Sequence, residues 1–318
     1  MPLACLILAC ALWGLSFPVV KALHLEQSAR IPGAGSEFLS IWMQTARFGV
    51  GALILLPFAC RGGRISRGEL RQGILLGLWG GGGMVLQADG LAHTEASTSA
   101  FLTQAYCVLL PLIACVRTRL APDLRTTAAT ILVVAGCAVL SGIRPGELSP
   151  GRGEIETLLA AVLFTVQILT LENPRYRENR GLPITLVMCA TIAAIFAIPT
   201  LVTAPQVSDA ITAGASWPAV ALVGVLALFC SVGAYLLMNH WQPKVSATDA
   251  GLIYTTEPLF TAVYVLFLPA WIASWTGGGY ANERFATTTW IGGSLIIAAN
   301  VILQLRRPPH RAAMAPAP

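Results

Sequence analysis

The chain has 318 residues, 55% of them hydrophobic and only 11% charged, against roughly 25% charged in an ordinary soluble domain. So few charges could not cover a water-soluble fold of this size, and the apolar residues come in long runs, many reaching the roughly 20 residues a helix needs to cross a bilayer. The net charge of +5 is accounted for by short basic loops beside anionic lipid and calls for no nucleic acid.

In chain order the runs predict ten spans: Leu3 to Leu23, Phe38 to Cys60, Leu70 to Leu91, Ala96 to Val116, Leu124 to Ile143, Ile155 to Leu171, Leu182 to Ala204, Trp217 to Trp241, Ala247 to Trp271 and Thr287 to Leu305. The opening MPLACLILACALWG lacks the basic leader of a signal peptide, so it is expected to remain as an uncleaved span. The joints RGGRISRGE, RTRLAPDLR, IRPGELSPGRG, ENPRYRENRG and WTGGGYANER are turn-forming and charged. In the third span, GLWGGGGM (Gly77 to Met84) has no following Gly-Lys-Ser/Thr, which argues against a phosphate-cradling loop. A bendable or closely packed stretch is expected there instead. The eight cysteines fall almost entirely in apolar runs without a C-x-x-C pair, and they read as packing residues rather than as disulfides or metal ligands.

Basic residues in short loops stay on the cytoplasmic side. Of the 20 Lys and Arg residues, the even-numbered connections and the tail hold Arg61, Arg64, Arg67, Arg71, Arg117, Arg119, Arg125, Arg175, Arg177, Arg180, Lys244, Arg306, Arg307 and Arg311. The odd-numbered side has Lys21, Arg30, Arg144, Arg152 and Arg284, and Arg47 lies inside the second span. Both termini are therefore expected in the cytoplasm.

Five spans that start inside must end outside, so a second set of five enters the membrane upside down, as in the inverted repeats of many secondary transporters. Ser97 to Ile113 lies over Ala247 to Val263, with Thr98, Ala100, Leu102 and Leu109 matched by Thr248, Ala250, Leu252 and Leu259. The fifth span, AATILVVAGCAVL, lies over the tenth, GGSLIIAANVIL, with small residues where two helices would touch. The expected fold is all-α: ten transmembrane helices as two inverted five-helix repeats, residues 1–145 and 146–307, with 308–318 a disordered cytoplasmic tail.

ALWGLSFPVVK in the first span, ARFGVGALILLP in the second, STSAFLT opening the fourth and TDAGLIYTTEP in the ninth together resemble the EamA branch of the drug/metabolite transporter superfamily, over Ala11 to about Leu305. The resemblance implies a bacterial inner-membrane carrier, usually an exporter of metabolites or drugs, with a central cavity between two five-helix halves and no bound cofactor. It places the branch's Glu-Pro at Glu257 and Pro258 and its Arg-Phe at Arg47 and Phe48. The first external stretch, HLEQSARIPGAGSEFLS, and the last, PAWIASWTGGGYANERFA, are long for the branch.

An ionisable group inside a span is costly and faces a partner or a wet cavity. Glu257 is the leading candidate, as a carboxyl able to take up and release a proton during a cycle. The competing reading is a fixed partner of Arg47 or of helix ends. Pro258 is expected to break the helix beside it, freeing carbonyls for the cavity. Arg47 either faces the cavity or snorkels to the headgroups, and Lys21 likewise. Trp13, Phe17, Trp79, Gln87, Gln104, Tyr106, Gln167, Tyr235, Asn239 and Tyr254 supply aromatic walls and polar groups suited to an amphipathic organic solute, some of them serving as interhelical contacts. Trp217, Trp241, Trp271, Trp275 and Trp290 fall near span ends as interfacial anchors.

The expected activity is secondary-active transport of a small organic metabolite or drug by alternating access, with membrane lipid as the other partner. The alternative is a non-transporting scaffold or subunit of a larger membrane complex. An enzyme is not expected: H-E-x-x-H and G-x-S-x-G are absent, and His24, His93, His240 and His310 sit near span ends or in the tail.

Overall fold

Proline and threonine decide where the long apolar runs bend. The computed structural model describes residues 1–94, 96–140, 151–284 and 287–304, which form helices with no strand among them. They are α1 (Pro2–Gly14), α2 (Ser16–Arg30), α3 (Ser36–Arg61), α4 (Arg67–His93), α5 (Ala96–Thr103), α6 (Tyr106–Thr118), α7 (Leu124–Leu140), α8 (Arg152–Glu172), α9 (Gly181–Thr203), α10 (Asp209–Thr212), α11 (Trp217–Val225), α12 (Ala234–Trp241), α13 (Ala247–Tyr254), α14 (Glu257–Tyr264), α15 (Leu268–Thr276) and α16 (Thr287–Gln304). A π-helical stretch, Leu226–Gly233, joins α11 to α12. Arg144, Arg306, Arg307, His310, Arg311 and the tail 308–318 lie outside the described residues.

Six of these helical runs are long and apolar enough to cross a membrane: Pro2–Arg30, Ser36–Ala59, Phe101–Thr118, Arg152–Glu172, Gly181–Thr203 and Trp217–Lys244. A seventh is the pair Ala247–Tyr264 and Leu268–Thr276, bent by 57°. Leu124–Val139 and Trp290–Ile302 are shorter apolar helices. The 27-residue α4 spans about 40 Å at 1.5 Å per residue, but its glycines and charged ends dilute its apolar character. Trp217, Trp271 and Trp290 are exposed on the outside of the bundle.

Pro18 has no N–H to give the Gly14 carbonyl one turn back. That carbonyl instead accepts from Thr261 Oγ1 at 3.3 Å, which ties the α1–α2 junction to α14. The ninth run breaks at Thr255 and Thr256, two residues earlier than Pro258, which sits in the first turn of α14 where proline is cheap. Two carbonyls before the break accept from hydroxyls: Thr255 Oγ1 donates to Leu252 O (2.5 Å) and Thr256 Oγ1 to Ile253 O (2.9 Å). The fourth run breaks likewise at Gln104 and Ala105.

The glycines of α4 are packing positions in an unbroken helix. A Cβ on Gly77 would lie 2.7 Å from Thr191 Cβ, and one on Gly83 2.7 Å from the Phe164 ring, so α9 and α8 sit directly on its backbone. Gly136 of α7 meets the Gly292 carbonyl of α16 in the same way. The first long loop expected between spans is mostly helix. Residues His24 to Arg30 continue α2 because Gln27 Nε2 donates to Ala213 O (3.0 Å) and Glu26 accepts from Ser216 Oγ (2.5 Å), leaving only Ile31 to Gly35 between helices. Part of the last long stretch is likewise α15.

At the arginine-rich end, Arg180 Nε donates to Glu69 Oε1 (2.7 Å), and its terminal nitrogens reach the Gly62 and Arg64 carbonyls. Glu69 also closes a capping box with Ser66 at the start of α4. The Arg180 guanidinium, aided by the Ser66 and Arg180 backbone N–H groups, holds the Glu69 carboxyl down at about 2. Because this value lies below the ordinary one of 4.5, the contribution is present at neutral pH and is lost as pH falls through that window. Glu69→Gln is expected to lower stability by roughly 2 kcal/mol at pH 7. The gap to the parent protein should narrow as the melting temperature is followed from pH 5 downward.

Candidate functional site

Where α1, α2, α3, α4, α5, α6, α8, α12, α13 and α14 converge, they line a half-open cavity, with about 770 Å³ of empty space when the part open to solvent is included. Its lining follows helical spacing. Met43, Gln44 and Arg47 share one face of α3; Met84, Gln87, Ala88 and Leu91 one face of α4; Phe164, Gln167 and Ile168 one face of α8. Trp13, Ser16, Phe17 and Val20 come from the bent first run, Thr103 and Tyr106 from the broken fourth, Tyr235 and Met238 from α12, and Tyr254 and Glu257 from either side of the break in the ninth.

Three rings form one wall. Trp13 stands 5.3 Å from both Tyr235, tilted by 59°, and Tyr254, edge-on at 75°, separations at which aromatic pairs attract. Polar neighbours hold the phenols: Tyr254 OH donates to Gln242 Oε1 (2.9 Å), whose amide donates to Ile168 O (2.8 Å). Tyr106 OH donates to Gln104 Oε1 (2.7 Å), and Gln87 Nε2 to Thr103 Oγ1 (2.9 Å).

Arg47 and Glu257 are the charged residues of the lining. Arg47, only 5% exposed, donates from Nε to Ser231 Oγ at 2.9 Å and lies 4.9 Å from the centre of the Phe48 ring. It reaches into the bundle, not the headgroups. No ion pair joins it to Glu257 among the described residues, and the Glu257 carboxylate has no hydrogen-bond partner there. Trp13 Nε1 and Gln44 Oε1 are also buried without a partner.

Of the residues singled out from sequence, Trp13, Phe17, Arg47, Gln87, Tyr106, Gln167, Tyr235, Tyr254 and Glu257 meet at this cavity. Gln104 and Asn239 do not. Gln104 lies behind Tyr106 and lines a separate apolar crevice with Phe101, Cys107 and Cys137, while Asn239 Nδ2 is spent on Thr185 Oγ1 (2.9 Å). Trp79 and Lys21 are partly exposed and outside the lining. Missed from sequence were Met43 and Gln44, legible as the residues four and three before Arg47 on its helix face, and Ser231, which has no sequence signal.

The model of the EamA-like transporter family matches residues 1–142. An uncharacterized transporter of Archaeoglobus fulgidus is 24% identical over 306 residues, covering 95% of this chain and 85% of the relative. A crystal structure at 16% identity superposes with a TM-score of 0.63, covering 93% of this chain and 96% of the other, a likeness of fold alone. The EamA-like match thus covers the first 142 residues, and the likeness to a transporter-named relative runs along nearly the whole chain.

Proposed function

We propose that the protein is a secondary-active carrier, acting as an exporter, that moves a small organic solute by rocking two inverted five-helix halves about the central cavity, with Glu257 as the proton-coupling group. The observation that carries this reading is the Glu257 carboxyl, without a hydrogen-bond or ion-pair partner among the described residues and lining an aromatic-walled cavity at a helix break. Ionisable groups in such positions mark substrate and proton pathways.

The packing supports ten spans in two related halves. If span n corresponds to span n+5, the contact of α4 with α8 (spans 3 and 6) has its counterpart in that of α12 with α1 (spans 8 and 1). The contact of α5 with α8 has its counterpart in that of α14 with α1, and the pairs α3 with α9 and α7 with α16 map onto themselves. The fourth run of each half breaks at a matching place, Gln104–Ala105 against Thr255–Thr256. The basic residues that the sequence puts at the end carrying Arg64 and Arg180 support a cytoplasmic location for that end and for both termini.

Proteoliposome counterflow tests the reading. Metabolites that raise the melting temperature of the purified protein are expected to exchange across the bilayer when present on both sides. Ligands that bind without exchanging would overturn it in favour of a non-transporting scaffold.

A further inference from the structure

We propose that the crevice between the break in the fourth run and α7 is a second binding site, which takes an uncharged apolar molecule from the bilayer through a hydrogen-bond acceptor, such as a ketone or ester carbonyl, offered to Gln104. The crevice shares no lining residue with the central cavity, and the proposal does not depend on proton coupling at Glu257. The site exists because the fourth run breaks at Gln104 and Ala105 while α7 packs chiefly on α16. Phe101, Ala105 and Val108 line one side and Val134 and Cys137 the other, with about 390 Å³ of empty space when the part open to the surroundings is included. Val134 is exposed, as is Ile131 one turn before it. The break falls near the middle of the run from Ala96 to Thr118, a depth at which those surroundings are hydrocarbon.

Two polar atoms there are unanswered. Gln104 is 3% exposed and lines the crevice; its Oε1 accepts from Tyr106 OH at 2.7 Å, but its Nε2 is buried with no hydrogen-bond partner among the described residues. Thr130 Oγ1, on the face of α7 that carries Val134 and Cys137, is likewise buried without a partner there. At hydrocarbon depth no bulk water satisfies such groups, and a buried donor left unmet costs free energy. At the corresponding break in the ninth run, by contrast, the hydroxyls of Thr255 and Thr256 both donate to carbonyls of α13. Lipid tails carry no acceptor, and phospholipid ester groups lie at the interface, away from this depth. The occupant therefore brings its own acceptor on an apolar body, and it is uncharged because no charged side chain lines the crevice. Gln104 also connects the two chambers: its oxygen fixes a phenol of the cavity wall, and its nitrogen is left for the crevice.

Benzophenone, an apolar ketone that attaches to neighbouring C–H bonds on irradiation, tests this on the full-length protein in detergent. Peptide mass spectrometry is expected to find the label on residues 101–108 or 134–137. Competition by 2-undecanone and by undecane, compared at equal concentration in the micelle, separates the acceptor from the apolar body. The ketone should displace the label at about tenfold lower concentration than the alkane, the worth of one hydrogen bond. Gln104→Met keeps the bulk without the amide and should make the two competitors equal. A glutamine that served only to hold Tyr106 would lower the melting temperature when replaced and leave the ratio of the competitors unchanged, which would overturn the proposal. Val134→Trp fills the crevice while leaving Gln104 and Tyr106 in place, and it should remove the label from residues 101–108 even where the glutamine variant fails to fold. Label that survives Val134→Trp, label confined to the central cavity, or equal competition by ketone and alkane in the parent protein would each overturn the site.

Discussion

Glu257→Gln is expected to remove proton-driven accumulation while the protein stays folded. The carboxylate has no hydrogen bond or ion pair to lose among the described residues, so an isosteric amide leaves the packing around α14 intact. The loss is of driving force. When a neutral cargo exchanges against one proton, a membrane potential of 100 mV supplies about 2.3 kcal/mol, enough for a gradient of roughly 50-fold. Each unit of pH gradient adds a further factor of about ten. The variant, reconstituted with an imposed gradient, should collapse to no accumulation, and what exchange remains should be independent of pH. Retention of the parent's pH dependence by a variant with an unchanged melting temperature would sink the proton role.

What the sequence disclosed was the set of residues too polar for their surroundings. Glu257, Arg47, Gln87 and Gln167 stand out in apolar runs, and, as expected of membrane-embedded polar groups, all four line the cavity. The aromatic wall was legible for a similar reason, since Trp13 falls at the midpoint of its run and Tyr235 and Tyr254 lie well inside the ends of theirs. Polar groups consumed by a neighbour misled. Asn239 looks like a cavity amide until Thr185 is seen to take it, and Gln104 is turned behind the Tyr106 phenol. Satisfied polarity also disguised a helix as a loop: Glu26 and Gln27 keep α2 helical to Arg30 through bonds to Ser216 and Ala213 that no local pattern announces. The π-helical stretch LALFCSVG is uniformly apolar apart from Ser231, so nothing in its periodicity marks the extra residue per turn. Pro258 signalled a break correctly but not its position, because the ring is tolerated in the first turn of a helix and its disruption falls on the residues before it.

Gly73→Leu combined with Gly77→Leu is expected to cost about 2–4 kcal/mol and to leave little monodisperse protein after extraction. A Cβ at Gly73 would lie 2.5 Å from Val187 Cβ and 3.0 Å from the Ile184 carbonyl, and one at Gly77 2.7 Å from Thr191 Cβ and 3.0 Å from the Met188 carbonyl. Two of those four contacts are to the backbone of α9, which cannot yield by a rotamer change. The helix itself would have to move, and α9 is held on its other side by α3. Overpacking of this kind costs about 1–3 kcal/mol per site, and adjacent turns pushing the same helix act together. The better helix propensity of leucine returns only about 1 kcal/mol per glycine. Displacement of α4 would also carry Met84, Gln87, Ala88 and Leu91 away from the cavity, so any surviving protein should bind solute poorly. Gly224→Ala is the control: nothing lies within 4 Å of its Cβ, and it should leave the melting temperature unchanged or higher. Equal behaviour of the two variants would mean that the α4–α9 contact is looser than these distances require, and that its glycines serve bending instead.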